Sequence, residues 1–303
     1  MSTMVTGGLG YVGKHLVANL AERGEDVVSY NRDYAEGSEK NVTYVQGELY
    51  DVPRFVDTLR RYDVECIIHT AAMSHPDLSI ELPITTFTAN VDGTVHVFEA
   101  ARMVGVRRIV NFSSETAYGH VDTGGAVTEA APLHPTTPYG VTKVATELLA
   151  DVYNDLYGLD IVSLRITEIY GPGNKMPQFL KEIIGPALRG EPYRLEKGGD
   201  HGFQFVRVED VARAAILAAD AEEFGQRVYN VTGGSQITLA EAADMVREAI
   251  PGADVELGPG HLHLDRQGPY DISAANRDLG YRPEWPVERG IPDYIDWLRD
   301  HAY

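Results

Sequence analysis

Tyr139 and Lys143 lie four residues apart in Pro138-Tyr139-Gly140-Val141-Thr142-Lys143, and Val144, Leu148, Val152 and Leu156 recur at the same interval. That interval is the period of a helix. Four residues along a helix bring two side chains onto one face, a turn apart. A lysine ammonium beside a phenol favours the phenolate and lowers its pKa from ~10, so a proton can pass to or from a hydroxyl or carbonyl. Ser114, just after the apolar run 108–112, can offer a hydroxyl to the same oxygen. Taken alone, Tyr-x-x-x-Lys fits an ordinary surface tyrosine and lysine equally well. Glu115 follows Ser114 directly, either as a general acid at the site's edge or as a capping or solvent-facing carboxylate.

The elements before this segment read as a nucleotide cradle. Residues 2–6 are β-prone and run straight into Gly7-Gly8-Leu9-Gly10-Tyr11-Val12-Gly13, followed by a helical stretch over 14–20. In a strand, glycine turn and helix of this kind, Gly7 permits the turn, Gly10 lets backbone approach a pyrophosphate, and Gly13 lets the helix pack closely on the strand. Residues 26–30 form a second strand whose end meets the adenosine ribose. An acid there accepts from the 2′-hydroxyl of NAD, and a base accommodates the 2′-phosphate of NADP. The chain has Asn31-Arg32-Asp33. Asn31 cannot act as a carboxylate towards the 2′-hydroxyl and Arg32 can pair a phosphate, so NADP is expected to be accepted; if Arg32 is a solvated loop residue, NAD serves equally well. Residues 42–49 read as the third strand, with Glu48 near the place of an adenine amine. The strand 66–69 leads into Thr70-Ala71-Ala72, small enough for a dinucleotide to pass closely.

Met73-Ser74-His75-Pro76-Asp77-Leu78-Ser79 reads as a loop facing the crevice at the strand ends. His75 there either contacts substrate or is simply solvated. Asn90 opens a helix over 91–104 with the apolar stripe Val91, Val95, Phe98 and Ala101. The sixth strand, 160–165, runs on to Glu168 and Tyr170-Gly171-Pro172-Gly173. Strands and helices alternate from residue 2 to this point, which predicts an α/β fold with a doubly wound, Rossmann-type parallel sheet. Beyond residue 170 the alternation breaks. Residues 205–208 and 228–231 look like returns to the sheet, and Thr238 with Glu241 forms a capping box. The expected division is a dinucleotide-binding domain over 1–170, with returns near 204–231, and a smaller, discontinuous substrate domain from 171–203 and 232–303.

The 303 residues carry 26 basic and 45 acidic side chains, a formal charge of −19, with 44% hydrophobic and 23% charged residues. That balance disfavours nonspecific nucleic-acid or anionic-membrane binding. It fits a salt-rich cytoplasm or plain solubility alike. No apolar run reaches the roughly 18 residues of a membrane span, and no leader precedes the first strand, so a cytoplasmic protein is expected. The single cysteine, Cys66, reads as core filler, and nothing calls for a metal.

The motifs TGGLGYVG, HTAA, NVDGT, FSSETAYG, YGVTK, RITEIYGPG, FVRVEDVARA and DISAANRDLGY follow one another across nearly the whole chain. Together they resemble the extended short-chain dehydrogenase/reductase family, in its NAD-dependent epimerase/dehydratase branch. The resemblance implies that Ser114, Tyr139 and Lys143 are the catalytic triad and that Lys143 also holds the nicotinamide ribose. It further implies that Gly7, Gly10, Tyr11, Val12, Leu49 and Asn90 join Asn31, Arg32, Glu48 and Thr70 to Ala72 around the cofactor. Ser74, His75, Glu115, Thr116, Glu168 and Arg266 would meet a sugar-like substrate. The segment AAMSHPDLS resembles the AA-x-SHVDRS loop of nucleotide-sugar 4,6-dehydratases, which carry Asp-Glu where this chain has Glu115-Thr116. Nucleotide-sugar epimerases usually carry Asn where Glu168 stands, and Arg-Asp where Phe203-Gln204 stands. Arg266 and Arg165 remain as possible anion partners.

The resulting expectation is a nucleotide-sugar (UDP- or dTDP-hexose) 4-epimerase working by transient hydride transfer. The alternative is an NAD(P)-dependent dehydrogenase or reductase of a smaller sugar, polyol or hydroxy acid. A catalytically silent dinucleotide-binding module would be expected to lose Tyr139 or Lys143, and both are present. Relatives pair through helices matching 91–104 and 141–157, which implies a homodimer.

Overall fold

The computed structural model describes residues 2–37, 39–121 and 124–301. Seven strands form one sheet in the order β7-β6-β5-β4-β1-β2-β3. They are β1 (Ser2–Thr6), β2 (Asp26–Asn31), β3 (Val42–Gln46), β4 (Val64–His69), β5 (Arg108–Ser114), β6 (Ile161–Ile166) and β7 (Val228–Val231). Every neighbouring pair is parallel. Crossovers therefore place helices on both faces, and the central strands read as continuous apolar runs instead of alternating ones. All seven residues of β5 are buried. Cys66 of β4 is fully buried, and burial pushes its thiol up to about 12, as suits core filler.

Helix α1 (Tyr11–Glu22) packs against α6 (Val208–Asp220) over one face of the sheet. The other face carries α2 (Val52–Arg61), α3 (Gly93–Val104) and α4 (Pro138–Tyr157). A separate apolar cluster joins α5 (Phe179–Arg189), α7 (Leu239–Ala249) and α8 (Val287–Asp300) around Phe203, Phe205 and Tyr170. The Thr238/Glu241 capping box is formed at the start of α7. Two expected returns to the sheet differ in outcome. Val228–Val231 pairs with β6 as its outer neighbour. Phe205–Arg207 instead pairs with Glu168–Tyr170 in a small two-stranded ribbon. The chain bends between β6 and Glu168, and the ribbon lies where the sheet meets the second cluster.

Two local expectations are corrected. Pro76–Glu81 is a helical turn where a loop was expected, because proline suits a helix's first turn and His75 caps it by accepting from the Leu78 amide at 3.4 Å. Asn90 does not open its helix: it sits inside a π-helical stretch, Thr88–Asp92, that feeds α3. Such single-turn π segments are a frequent mark of functional sites.

Candidate active site

The order of strands reverses between β1 and β4, and crevices at such points take ligands at the carboxyl ends of the strands. The glycine turn lies there. Gly7 adopts φ +71°, a conformation that costs a residue with a Cβ, and α1 starts at Tyr11 directly after Gly10. A Cβ on Gly13 would lie 2.1 Å from the Gly7 carbonyl oxygen, so the helix can press against the turn only because that side chain is missing. The resulting cradle exposes backbone N–H groups at a helix N-terminus, which fits a dinucleotide's pyrophosphate. Thr70 donates to the Thr6 carbonyl at 2.8 Å and brings Ala71 beneath Gly7, while Ala72 is exposed at the rim. Tyr11 donates to the Gly171 carbonyl at 3.1 Å, pinning the cradle to the loop after the ribbon, and Val12 is half-buried beside it.

At the adenosine end the side chains behave differently from one another. Asn31 is buried and spent internally: its Oδ1 accepts from the Leu9 amide at 2.7 Å and its Nδ2 donates to Ser29 at 2.9 Å. Arg32 projects into solvent, its side chain 75% exposed and 3.8 Å from the Asp33 carboxylate. Glu48 is exposed, and Leu49 covers Gly93 at the start of α3.

The catalytic candidates come together around the end of β5. Thr137 caps α4, Pro138 occupies its first turn, and the buried Ser79 hydroxyl accepts from the Tyr139 amide at 3.0 Å. Gly140 faces the 115–117 turn so closely that a Cβ there would lie 2.5 Å from the Thr116 carbonyl oxygen. This contact brings Tyr139 to Ser114. Thr116 donates to Ser114 through both its amide, at 3.2 Å, and its hydroxyl, at 3.0 Å. Both Ser114 lone pairs are thereby used, and its own proton is left for Tyr139 or a bound oxygen. Lys143 donates to the Phe112 carbonyl at 2.6 Å, and its ammonium lies 5.4 Å from the Tyr139 ring centre. Asn90 bridges the crevice loop to α4, accepting from the Met73 amide at 2.7 Å and donating to Thr142 at 3.0 Å.

The simple expectation of a lowered tyrosine pKa is corrected. Burial pushes the Tyr139 phenol up to about 12, against the pull of its bond to Ser114, and Glu115 and Glu168 push it further. Burial also brings the Lys143 ammonium down to about 8 despite the nearby Glu147. Desolvation is therefore the largest influence on both groups.

The candidate substrate residues divide. Glu115, Glu168 and Thr116 gather beside Tyr139. Ser74 lies exposed near Met176, and His75 is occupied as a cap. Arg266 borders a cavity of about 290 Å³ with Asp200, Gln236 and His261. Gln267 connects that cavity to the site, donating to the Gly119 carbonyl at 3.0 Å. Arg165 is not an anion partner, because it is buried against Glu147 at 2.6 Å. Two residues were not picked out from the sequence. Tyr270 acts on Glu115 and Gln178 on Glu168, although the buried Tyr270 hydroxyl and Gln178 Nε2 have no hydrogen-bond partner of good geometry. Tyr270 comes from a distant segment and Gln178 from just ten residues beyond Glu168, neither within a recognisable motif. Among the described residues no cluster suits a metal, and no helix is long and apolar enough to cross a membrane.

The model of the NAD dependent epimerase/dehydratase family matches residues 3–232. The chain belongs to this family. It is therefore an NAD-dependent enzyme of the extended short-chain dehydrogenase/reductase class. It is 28% identical to a dTDP-glucose 4,6-dehydratase of an Actinoplanes species, over 99% of this chain and 98% of the relative. It is 29% identical to the UDP-glucose 4-epimerase of Mycolicibacterium smegmatis, with both chains covered in full. A solved UDP-glucose 4-epimerase of Thermus thermophilus, in complex with NAD, superposes with TM-score 0.88 at 29% identity over the full length of both chains.

Proposed function

We propose that the protein is an NAD-dependent nucleotide-sugar 4-epimerase. One observation carries the choice over dehydration: Thr116, where the dehydratases that the chain resembles carry a second carboxylate, is a hydroxyl spent on holding Ser114 at 3.0 Å. When bound, NAD supplies a hydride acceptor that can later return the hydride. Tyr139 takes the proton of the sugar's 4-hydroxyl as the C4–H bond is oxidised and gives it back when the other face of the ketone is reduced. Ser114 orients that oxygen through its remaining proton. Lys143 holds a cation a turn away from the phenol and offers its remaining donors to the ribose. The Gly7–Gly13 turn supports the diphosphate of the cofactor, and NAD is favoured over NADP because similar solved enzymes hold NAD, while Arg32, solvated beside Asp33, makes no case for a 2′-phosphate.

Glu168 and Phe203, standing where related epimerases place polar or cationic groups, favour a second reading, a dehydrogenase or reductase of a smaller sugar, polyol or hydroxy acid. Incubation with UDP- and dTDP-hexoses separates the two. The epimerase yields the 4-epimer with no net NADH. Stoichiometric cofactor reduction by a free sugar, with no hexose epimerised, would establish the second reading instead.

We also propose a homodimer. Helix α4 has an inverted pattern: its buried face carries Thr142, Lys143, Thr146 and Glu147, while Val141, Leu148, Val152 and Leu156 are exposed. Ile80, Ile84 and Met103 on the neighbouring helices extend this apolar surface. A second copy of the chain is the simplest cover for so continuous a patch.

A further inference from the structure

His69 is the last residue of β4 and stands opposite Thr6, the last residue of β1, in their parallel register. Its side chain is buried, yet both ring nitrogens have partners. Nδ1 lies 2.7 Å from the Thr6 hydroxyl, and Nε2 lies 3.0 Å from the Thr94 hydroxyl. The neighbours decide which nitrogen carries the hydrogen, because a hydroxyl has a single proton to give. Thr94 gives its proton to the Asn90 carbonyl at 2.5 Å, a group that can only accept. Towards His69, Thr94 is therefore the acceptor, and Nε2 carries the hydrogen. Nδ1 is then bare and accepts from Thr6, whose oxygen accepts in turn from the Ala71 amide at 3.4 Å. Each donor in this line meets one acceptor, and the imidazole is neutral. Burial acts the same way: desolvation, with help from Lys143, brings the ring's pKa down to about 3.

The line does not stop at Asn90. That residue lies in the π-helical stretch Thr88–Asp92, and its side chain accepts from the Met73 amide at 2.7 Å and donates to Thr142 at 3.0 Å. Thr142 donates to the Tyr139 carbonyl at 2.7 Å. A run of hydrogen bonds thus begins at Ala71, beneath Gly7 in the cofactor cradle, and ends on the backbone of the acid–base tyrosine. We propose that His69 is a positioning residue: as the neutral Nε2–H tautomer it locks the π-turn of Asn90 to the end of β1, and so fixes Tyr139 relative to the cofactor cradle. The proposal rests on the reading of Tyr139 as the group that moves the proton. Hydride and proton leave one carbon–oxygen unit in two set directions, so a misplacement of about 1 Å costs about 10²-fold in rate. With both nitrogens engaged inside the protein, His69 has no proton to trade with a substrate.

Two measurements test this. Nitrogen NMR of wild-type protein labelled at its histidines, with the His69 signals assigned by their loss in His69→Gln, should show a bare Nδ1 and a protonated Nε2 from about pH 5.5 to 8.5. The opposite tautomer, or an imidazolium near neutral pH, overturns the proposal, and this readout needs neither substrate nor a folded variant at Thr94. The second measurement pairs Thr94→Val, which keeps the side chain's shape but removes its hydroxyl, with Thr94→Ser, which keeps the hydroxyl; thermal melting first confirms that both fold. Turnover is followed on an epimerised UDP-hexose or, under the second reading, on the alcohol that reduces NAD. Thr94→Val should lose about tenfold to a hundredfold in kcat, with KM and calorimetric NAD affinity within about twofold of wild type, while Thr94→Ser keeps its kcat. A Thr94→Val kcat within about twofold of wild type, an equal loss in Thr94→Ser, or a loss confined to KM or NAD affinity overturns the positioning role and leaves the Tyr139 reading intact. Unimpaired turnover by Tyr139→Phe is the distinct outcome in which that reading fails and the positioning role falls with it.

Discussion

Replacing Glu147 with alanine should destabilise the protein by about 3–5 kcal/mol, the usual cost of stranding one member of a buried ion pair. The structure points to the upper part of that range. Arg165 makes three contacts with the Glu147 carboxylate, at 2.6, 2.9 and 3.2 Å, and the two side chains are 5% and 4% exposed. The Ser113 hydroxyl donates to the same carboxylate. After the substitution, Arg165 keeps only the Glu129 carbonyl at 3.0 Å and the face of Tyr118, 4.6 Å from its ring centre. A buried guanidinium and a buried hydroxyl would both lose their acceptor. Glu147 lies one turn beyond Lys143 on α4 and ties that helix to the strand that ends in Ser114. Urea unfolding followed by tryptophan fluorescence measures the loss. The double variant Glu147→Leu/Arg165→Leu should recover most of it, because an apolar pair of similar volume carries no desolvation cost. A loss below about 1 kcal/mol for Glu147→Ala would refute the reasoning.

Gly13→Ala should weaken NAD binding by about tenfold or more, since its Cβ would meet the Gly7 carbonyl oxygen at 2.1 Å and force the turn to shift; fluorescence titration measures it. Glu168→Gln should change stability with pH. The raised folded pKa of about 7 means wild-type stability from this group is present below about pH 4.5 and lost as pH rises through 7. The variant should therefore gain about 1–3 kcal/mol relative to wild type above pH 7 and show no gain in acid, as read by unfolding at several pH values. Light scattering should find a dimer for the wild type and a 33.3 kDa monomer for Leu148→Glu, a charge placed on the exposed apolar face of α4.

Much of the sheet was legible because each parallel strand is covered on both faces and shows as an apolar run between turn residues. The glycine turn was legible for a related reason, since close packing at Gly13 leaves no choice of residue. The helical period of Val144, Leu148, Val152 and Leu156 located α4 correctly, but it did not reveal that the side chains at 148, 152 and 156 are exposed while Lys143 and Glu147 lie inside. An amphipathic pattern gives the period and not the inward direction when polar groups are buried for function. The fate of Phe205–Arg207 was hidden for a different reason: a three-residue β-prone segment, two apolar residues and an arginine, fits a central strand and a side ribbon equally well. Tyr270 reaches Glu115 only through tertiary packing of a segment more than 150 residues further along the chain, and Gln178 reaches Glu168 across the turn that follows the ribbon; no periodic spacing encodes either. The sequence pattern suggested a lysine-lowered phenol, whereas burial dominates in the folded chain.

The most direct test of the acid–base role is turnover by Tyr139→Phe, compared with wild type on an epimerised UDP- or dTDP-hexose at saturating NAD. General acid–base help by one side chain is worth ~10²–10⁴-fold, so kcat should fall by that factor while calorimetric NAD affinity stays near wild type. A variant that keeps more than about a third of wild-type kcat would contradict the assignment of Tyr139 as the group that moves the proton.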